Sequence, residues 1–247
     1  MQEFVVPLLL SSIFDHESTN RGSSRAMIVA LLPAYNEEKR IGDVIDKAYR
    51  FVEKVIVCDD GSSDSTYGEA LEFGAEVIRH KKNLGYGAAL KSLFNKAQTL
   101  QAGAFVTIDS DGQHDSAFVP ALTEPILKGK ADIVIGSRFL SEANFTPPHR
   151  KIAIKLITGL CDIVTRNGFT DLQSGFRAYN SRAISLACPT RSGMGASTEI
   201  IMKAVRSRLR IQEIGVPIYY NGEKTSPLNS ARQFLDVVNC IIAPSYE

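Results

Sequence analysis

Short apolar runs alternate with segments of helical spacing between residues 27 and 136, and this alternation constrains the fold more than any other feature. The runs read MIVALL, KVIVC, AEVIR, AFVTI and ADIVIG. A run such as MIVALL, which has no polar alternation, is typical of a strand that a parallel sheet buries on both faces. Helices are predicted between the runs, at about 41–52, 66–73, 87–102 and 118–128. The pattern therefore predicts an α/β fold, with a mostly parallel sheet flanked by helices in a single domain.

Several polar or rigid residues are predicted to bound these elements. Pro33 is expected to end the first strand. Asn36 is a plausible N-cap of the helix that follows, with Glu37 favourably placed in its first turn. Asp64 is expected to cap the helix that begins at Thr66. Capping alone thus explains part of the polar sequence between strands and helices.

Length and charge fit one large globular domain, or one domain with a small appendage. The chain has 247 residues, of which 44% are hydrophobic. Lys and Arg total 28 against 27 for Asp and Glu, so there is no overall field with which to hold nucleic acid. We therefore expect no nucleic-acid partner, and any anion site must be assembled locally.

The cysteines and the N-terminal residues point to a cytosolic protein. The four cysteines are widely spaced without a C-x-x-C pair, which argues against a zinc cluster or a disulfide framework. The opening MQEFVVPLLLSSIF has an acid at Glu3 and about ten mostly apolar residues, too few for a membrane span and poorly formed as a signal peptide. Residues 1–25 are predicted to form an irregular arm before the fold begins.

Acidic clusters follow three of the predicted strands, as PAYNEE, DDGSSD and DSDGQHD. Ligands of such sheets bind beyond the carboxyl ends of the strands, so these loops are expected to bring carboxylates to one edge. Turns and helix caps favour the same residue types. That explanation is weaker for Asp109 and Asp111, because close like charges repel unless a cation or hydrogen-bond donors compensate them.

A divalent cation is the simplest compensation for this pair. Such a cation prefers carboxylate and amide oxygens, and takes only one or two protein carboxylates when it also binds a phosphate-bearing substrate. Asp111 with Gln113 fits that description. The chain has no G-x-x-x-x-G-K-[ST] loop, no strand is followed by G-x-G-x-x-G, and the glycines of NLGYGAAL are differently spaced. Neither a P-loop nor a dinucleotide fingerprint therefore accounts for phosphate chemistry.

The ordered series LLPAYNEE, VCDDGSSDST, NLGYGAALKSL, DSDGQHD, GSRF and QSGFRAY resembles the inverting nucleotide-sugar glycosyltransferases with the GT-A (Rossmann-like) fold. Within them it is most similar to the branch that includes dolichyl-phosphate mannose and glucose synthases. The resemblance runs from about residue 27 to 222. It implies a GT-A domain over 26–222, followed by a C-terminal loop and helix over 223–247 close to a membrane.

The resemblance also implies roles for individual residues. The residues expected to line the nucleoside pocket are Pro33, Tyr35, Glu37 and Asp60. Asp109 would lie beside the ribose and diphosphate, and Asp111 and Gln113 would ligate Mg²⁺ or Mn²⁺. Arg138 in GSRF would face the phosphates. Ser174 to Arg177 would form the floor beneath sugar and acceptor.

The chain departs from the family pattern at two places. Ser116 stands where the motif D-x-D-G-Q-H-D-P has proline. The basic serine-containing loop after the last strand reads GEKTSPLNSAR, in which Lys224 is the candidate phosphate-binding residue. Its Gly, Ser and Pro content suits a lid over the site and is equally usual in a plain surface loop.

The class of acceptor decides whether the reaction needs a base. A phosphomonoester, whose second pKa is about 6, is largely ionised at neutral pH and needs none. A saccharide or protein hydroxyl would need one, and Glu199 in ASTEII is the best candidate, with a solvated helix carboxylate as its alternative role. His114 is a weaker candidate and a more natural partner of the metal loop. The non-enzymatic alternative is a degenerate homologue that only binds nucleotide.

The segment HRKIAIKLITGLCDIVT favours a lipid-linked acceptor. A stripe of Ile152, Leu156 and Leu160 beside basic residues at 150, 151 and 155 is typical of an amphipathic helix in a membrane interface. Packing on the core is the alternative. In the family the equivalent region carries lipid-facing helices. The resemblance therefore implies that Arg150 of this chain lies near the acceptor. The sequence thus predicts a peripheral enzyme at the cytosolic face of a membrane, acting on dolichyl or polyprenyl phosphate.

Overall fold

The computed structural model describes residues 26–141, 151–152, 154–156, 158–159 and 168–218. Seven strands in this part of the chain form one sheet. They are β1 (Ile28–Ala34), β2 (Lys54–Asp59), β3 (Glu76–Arg79), β4 (Ala104–Thr107), β5 (Ile133–Ser137), β6 (Arg177–Tyr179) and β7 (Ile211–Gly215). Their order is β3-β2-β1-β4-β6-β5-β7, and β6 runs antiparallel to both of its neighbours. The predicted mostly parallel sheet is confirmed.

Helices cover both faces of the sheet. They are α1 (Ile41–Tyr49), α2 (Thr66–Glu72), α3 (Tyr86–Ala97), α4 (Val119–Leu127), α5 (Ser181–Leu186) and α6 (Ala196–Arg206). One core cluster joins the sheet to α1, α2 and α4, and a second joins it to α3, α5 and α6. Along β1, Ala30 and Leu32 enter the first cluster and Val29 and Leu31 the second, which explains the absence of polar alternation.

Two of the predicted boundaries are wrong. Pro33 lies inside β1, which continues to Ala34. Asn36 is not an N-cap, because it has a left-handed backbone with φ of 55° and α1 begins only at Ile41. The intervening turn is held by the Glu37 carbonyl, which accepts from the amide of Ile41 at 2.9 Å.

The carboxylate of Asp132 ties three neighbouring strands together at the edge opposite the acidic loops. It precedes β5 and accepts hydrogen bonds from Asn180 at the end of β6 and from Arg210 at the start of β7. Asp132 is buried, and the Arg210 side chain is the largest cause that lowers its pKa to about 2. Such a charge-assisted group is expected to stabilise this half of the sheet.

We expect Asp132→Asn to lower the free energy of unfolding at pH 7 by about 2 kcal/mol, since hydrogen bonds to an ionised acceptor are lost. Because the folded-state pKa lies below the unfolded value, the contribution is full above pH 4 and fades as pH falls towards 2. Denaturant unfolding at pH 7 and pH 3 measures this. Glu124→Gln removes an exposed pair with Lys128 and serves as a neutral control. A difference of equal size at both pH values would contradict the prediction.

Candidate active site

The loops that follow β1, β2 and β4 meet around a cavity of about 390 Å³. Six residues predicted from the sequence line it: Pro33, Tyr35, Glu37, Asp60, Asp109 and Asp111. Other lining residues were not predicted, among them Asn83, Gly85, Tyr86, Gln173, Met194 and Ser197. The carboxyl ends of β1, β2 and β4 therefore bring the acids to one place, as expected for such a sheet.

The loops after β1 and β2 hold each other in place. The amide of Asn36 donates to Oγ of Ser62 at 2.9 Å, and Oδ1 of Asn36 accepts from the amide of Ser63 at 2.9 Å. The amide of Glu37 donates to Oγ1 of Thr66 at 2.7 Å. Polar residues of a type that is common in turns and helix caps thus join two loops that are far apart in sequence. This pairing fixes the wall that carries Tyr35 and Glu37.

Asp60 organises the loop that leads into α3. It is buried, and its carboxylate accepts from the amides of Leu84 at 3.0 Å and Gly85 at 2.8 Å. These bonds hold the NLGYG segment, which supplies Asn83 and Tyr86 to the cavity. The sequence signals for this contribution are the NLGYGAALKSL motif of the family series and its place before a helix at the same edge of the sheet.

Asp109 is closely surrounded. The hydroxyl of Tyr86 donates to Oδ1 at 3.2 Å. A Cβ on Gly175 would lie 2.3 Å from Oδ2, so only glycine fits beneath the carboxylate. Burial raises the pKa of Asp109, and the Tyr86 hydrogen bond and the charge of Arg138 oppose that rise. Asp109 is therefore a partly desolvated carboxylate, in which burial disfavours the ionised form while Tyr86 and Arg138 favour it.

Asp111 lines the cavity two residues further along the same loop. Its Oδ1 accepts from the amide of Gln113 at 2.9 Å, across Gly112 with φ of 73°. The Gln113 side chain is not among the cavity-lining groups. Within the described part of the chain, three or more His, Cys, Asp or Glu side chains do not cluster in a metal-binding group. The donor set fits a cation whose remaining ligands come from substrate phosphates, the mode in which one or two carboxylates suffice.

His114 supports this loop as a neutral ring. Burial is the main cause that lowers its pKa to about 4, and its ring stacks on Phe176 at a centroid distance of 5.0 Å. Nδ1 accepts from the amide of Asp109 at 3.4 Å. His114 is therefore poorly suited to act as an acid or base near neutral pH and instead supports the backbone of the acidic loop.

Arg138 is fixed in place just after β5. Its Nε donates to Oδ2 of Asp171 at 2.6 Å, and Asp171 is completely buried. The amide of Asp171 in turn donates to Glu213 on β7 at 3.0 Å. The charge of Arg138 acts on both Asp109 and His114. A positive charge is thus held beside the acidic loop, although Arg138 is not among the groups that line the cavity.

The SGFR segment lies beneath Asp109, and its three side chains, those of Ser174, Phe176 and Arg177, are buried. Oγ of Ser174 accepts from the amide of Phe176 at 3.3 Å. The guanidinium of Arg177 donates to the carbonyls of Ser197 at 2.9 Å and Leu172 at 2.7 Å. Ser174 and Arg177 therefore hold the backbone around the SGFR segment. Gly175 is the residue of this segment that lies against the Asp109 carboxylate.

Glu199 is neither a solvated carboxylate nor suited to be a base. It is 3% exposed and accepts from the amides of Thr190 and Arg191, while Lys203 lies 3.0 Å away. Burial works to raise its pKa, but these donors outweigh burial and the pKa lies below the usual value. Glu199 holds the 190–195 loop, whose Ser192 carbonyl also accepts from the amide of Gly87 at 2.7 Å. That loop delivers Met194 to the cavity, a contribution for which the sequence held no local signal.

The remaining predictions concern the periphery of the domain. Arg150, Leu160 and Lys224 lie outside the described residues, as do the predicted arm at 1–25 and the segment 223–247. Helical residues between 151 and 159 leave Ile152 and Leu156 exposed by 69% and 53%. In the described part of the chain, every helix is too short or too polar to cross a bilayer.

Comparison with known proteins gives a consistent picture. Residues 29–187 match the family model described as glycosyl transferase family 2. A UDP-N-acetylglucosamine–dolichyl-phosphate N-acetylglucosaminyltransferase of Methanococcus voltae is 28% identical over 216 residues, covering 78% of this chain and 86% of that protein. A dolichol-phosphate mannosyltransferase of Pyrococcus furiosus is 28% identical over 194 residues, covering 74% of this chain and 54% of that protein.

Solved structures share the architecture. Glucosyl-3-phosphoglycerate synthase from Mycobacterium tuberculosis, in complex with Mn²⁺, UDP and glucosyl-3-phosphoglycerate, superposes with a TM-score of 0.71. The superposition covers 89% of this chain and 80% of that chain at 22% sequence identity. At this identity the likeness concerns the fold, and the GT-A architecture expected from the sequence motifs is confirmed.

Proposed function

Since the chain belongs to glycosyl transferase family 2, we propose that it transfers a hexose or N-acetylhexosamine from a UDP- or GDP-sugar to dolichyl or polyprenyl phosphate. The transfer inverts the anomeric centre and is assisted by Mg²⁺ or Mn²⁺. The enzyme works as a peripheral protein at the cytosolic face of a membrane. Relatives named for transfer to dolichyl phosphate, in two archaea, support the choice of acceptor.

The observation that carries this proposal is the cavity in which Asp60, Asp109 and Asp111 meet. These three carboxylates come from two different loops around a cavity of about 390 Å³, and a ligand that brings hydrogen-bond donors or a cation would further reduce the repulsion between them. A nucleoside diphosphate bound with a divalent cation brings both. An acceptor such as Asp60 favours a base with a ring N–H, as in uracil and guanine.

Asp111, with Gln113 as its amide partner, is the proposed cation ligand. When bound, the cation neutralises negative charge that develops on the leaving diphosphate. Arg138, held by Asp171, supplies a fixed positive charge to the same region. Lys224 remains a proposed phosphate-binding residue.

The contacts of Glu199 favour a phosphate acceptor over a hydroxyl. Its carboxylate already accepts from Thr190 and Arg191 and pairs with Lys203, and its pKa is lowered. A carboxylate in this state is a weak base and does not face the cavity. An ionised lipid phosphate attacks without a base, so the occupied state of Glu199 is compatible with that acceptor.

The proposal is tested by incubating the purified protein and Mn²⁺ with radiolabelled UDP- and GDP-sugars and a short-chain polyprenyl phosphate. We expect one donor to transfer its label to the organic phase in an acid-labile form. The same prenol without phosphate is the matched control and should remain unlabelled. Labelling of free saccharides instead would favour a hydroxyl acceptor, and nucleotide binding without transfer or hydrolysis would favour a degenerate homologue.

Membrane binding through the helical segment at 151–159 gives a separate prediction. Ile152 and Leu156 are exposed apolar side chains on that segment, and Lys151 and Lys155 are exposed beside them. We expect the double variant Lys151→Gln, Lys155→Gln to bind anionic vesicles about thirtyfold more weakly at low salt. The reason is that each basic residue near an anionic surface contributes about 1 kcal/mol of binding free energy. Co-sedimentation with vesicles of neutral and anionic composition measures this.

A matched pair elsewhere on the surface controls for general charge effects. Lys128→Gln with Lys130→Gln changes the same number of exposed charges on the α4 side of the protein and should leave vesicle binding unchanged. Equal losses in both double variants, or no vesicle binding by the parent protein, would contradict the assignment of this segment to the membrane interface.

A further inference from the structure

A histidine outside the predicted site lies directly behind Asp60. His80 follows β3, and its Nδ1 lies 2.6 Å from Oδ1 of Asp60. Its Nε2 lies 2.8 Å from Oγ of Ser92 on α3. Because an ionised carboxylate only accepts hydrogen bonds, Nδ1 carries a proton and donates it to Asp60. The ring is thus held at both nitrogens, with Asp60 on one side and Ser92 on the other.

The neighbouring thiol does not compete for this ring. Sγ of Cys58 lies 3.6 Å from Nε2 of His80. Burial, followed by the charges of Asp60 and Asp59, raises the pKa of Cys58 to about 12. The thiol therefore stays neutral, and a neutral thiol is a weak hydrogen-bonding partner. Asp60 and Ser92 set the orientation of the ring.

The Asp60 carboxylate links His80 to the cavity. Oδ1 accepts from His80 and from the amide of Leu84, and Oδ2 accepts from the amide of Gly85. A carboxylate offers about four acceptor positions, two on each oxygen. Within the described residues, these bonds fill Oδ1 and leave one acceptor position on Oδ2, and Asp60 is one of the residues that line the cavity.

The sheet order separates this network from the acidic loop of Asp109 and Asp111. Asp60 follows β2, His80 follows β3 and Ser92 lies on α3. Asp109 and Asp111 follow β4, which lies on the other side of β1. Any effect of His80 is therefore expected at one half of the cavity. The half that carries Asp111 is supported by different contacts, including that of His114 with Phe176.

We propose that His80 is a positioning residue for the nucleoside half of the donor site, where it fixes the Asp60 carboxylate so that Oδ2 can accept from the base. This inference rests on the proposed function, because it assigns the Asp60 side of the cavity to the nucleoside. His80 itself touches no substrate. It acts through Asp60 and through the 83–85 loop that Asp60 holds.

Two variants of His80 distinguish positioning from bulk packing. Asparagine places its amide N–H close to the position of Nδ1, whereas glutamine places it close to Nε2. We expect His80→Gln to weaken binding of UDP or GDP about tenfold, the effect of losing one hydrogen bond to a charged group. His80→Asn should stay within about threefold of the parent protein, because it keeps a donor to Asp60. Lys81→Gln, at the exposed neighbouring position, is the control and should bind normally.

Calorimetry on the full chain with three probes locates the effect. UDP and UMP, or GDP and GMP, should lose affinity by the same factor in His80→Gln, while pyrophosphate with Mn²⁺ should bind as in the parent protein. In transfer assays KM for the donor should rise by that factor and kcat should change little. The expected result is a raised KM in His80→Gln and a KM close to that of the parent protein in His80→Asn.

Two results would overturn the inference. One is unchanged nucleotide affinity in His80→Gln, and the other is an equal loss for pyrophosphate, which would indicate general loosening of the site. A failure of the proposed donor site is seen separately, since the parent protein would then bind neither UDP nor GDP. A wrong acceptor or a degenerate homologue is seen in the transfer assay and leaves nucleotide binding intact.

Discussion

Asp111→Asn is expected to reduce sugar transfer by roughly a thousandfold or more while leaving the fold intact, since a bound cation provides several kcal/mol of charge stabilisation to the departing diphosphate. Asp111 lines the cavity, and its Oδ1 accepts from the amide of Gln113, a contact that asparagine preserves. Removing a charge beside Asp109 also removes repulsion. We therefore expect the melting temperature to be unchanged or slightly higher. Transfer rates and thermal unfolding measure the two parts.

Asp115→Asn is the matched control for this variant. Asp115 lies in the same loop and carries the same charge, but its carboxylate accepts from the amide of Ala117 at 2.9 Å and is not among the cavity-lining groups. It should retain most of the activity and the normal response to Mn²⁺. Full transfer by Asp111→Asn, or full activity of the parent protein in EDTA, would refute the role given to Asp111.

Gly175→Ala is expected to lower transfer roughly a hundredfold, the effect of misplacing a substrate-positioning group by about 1 Å. The added Cβ would lie 2.3 Å from Oδ2 and 2.5 Å from Oδ1 of Asp109, so the carboxylate or the backbone beneath it must move. Tyr86 would lose its bond to Asp109 in the same movement. Steady-state kinetics with the donor, together with thermal unfolding, measure this.

Gly68→Ala controls for the chemistry of the substitution. Gly68 lies in α2, and a Cβ there meets no other atom within 4 Å, so this variant should keep full activity. An active Gly175→Ala protein with an unchanged melting temperature would show that the position of Asp109 is not critical. A Gly175→Ala protein that fails to fold would be replaced by Tyr86→Phe, which removes only the hydroxyl that donates to Asp109.

Much of the fold could be predicted because its signals are local. Buried strands such as Ile28–Ala34 are continuous apolar runs, and the helices between them show regular apolar spacing. The boundary errors at Pro33 and Asn36 have a common cause. Each was predicted from the preference of one residue type, whereas pairing with β2 extends β1 and the Ser62–Ser63 loop binds Asn36.

The candidate site was predictable only where loops follow strands. Six predicted residues line the cavity because parallel strands deliver their carboxyl ends to one edge. Gln173, Met194 and Ser197 reach the same cavity from the distant 168–218 region. Met194 lies on the loop that Glu199 and the amide of Gly87 hold, and the Gln173 side chain donates to Oγ1 of Thr198 at 2.9 Å. No spacing in the sequence encodes those contacts.

The sequence by itself determined the alternation of strands and helices, the edge at which the acids collect, and the family that the motifs indicate. Those properties depend on residue type and short spacing, which a linear chain displays directly. Only the tertiary structure decided which carboxylates face the cavity and which are occupied elsewhere. Glu199 and Asp111 are both acids near a helix or a strand end, yet Glu199 is buried among donors while Asp111 lines the cavity. The difference arises because burial and hydrogen-bond partners come from segments far apart in sequence, and folding alone brings them together.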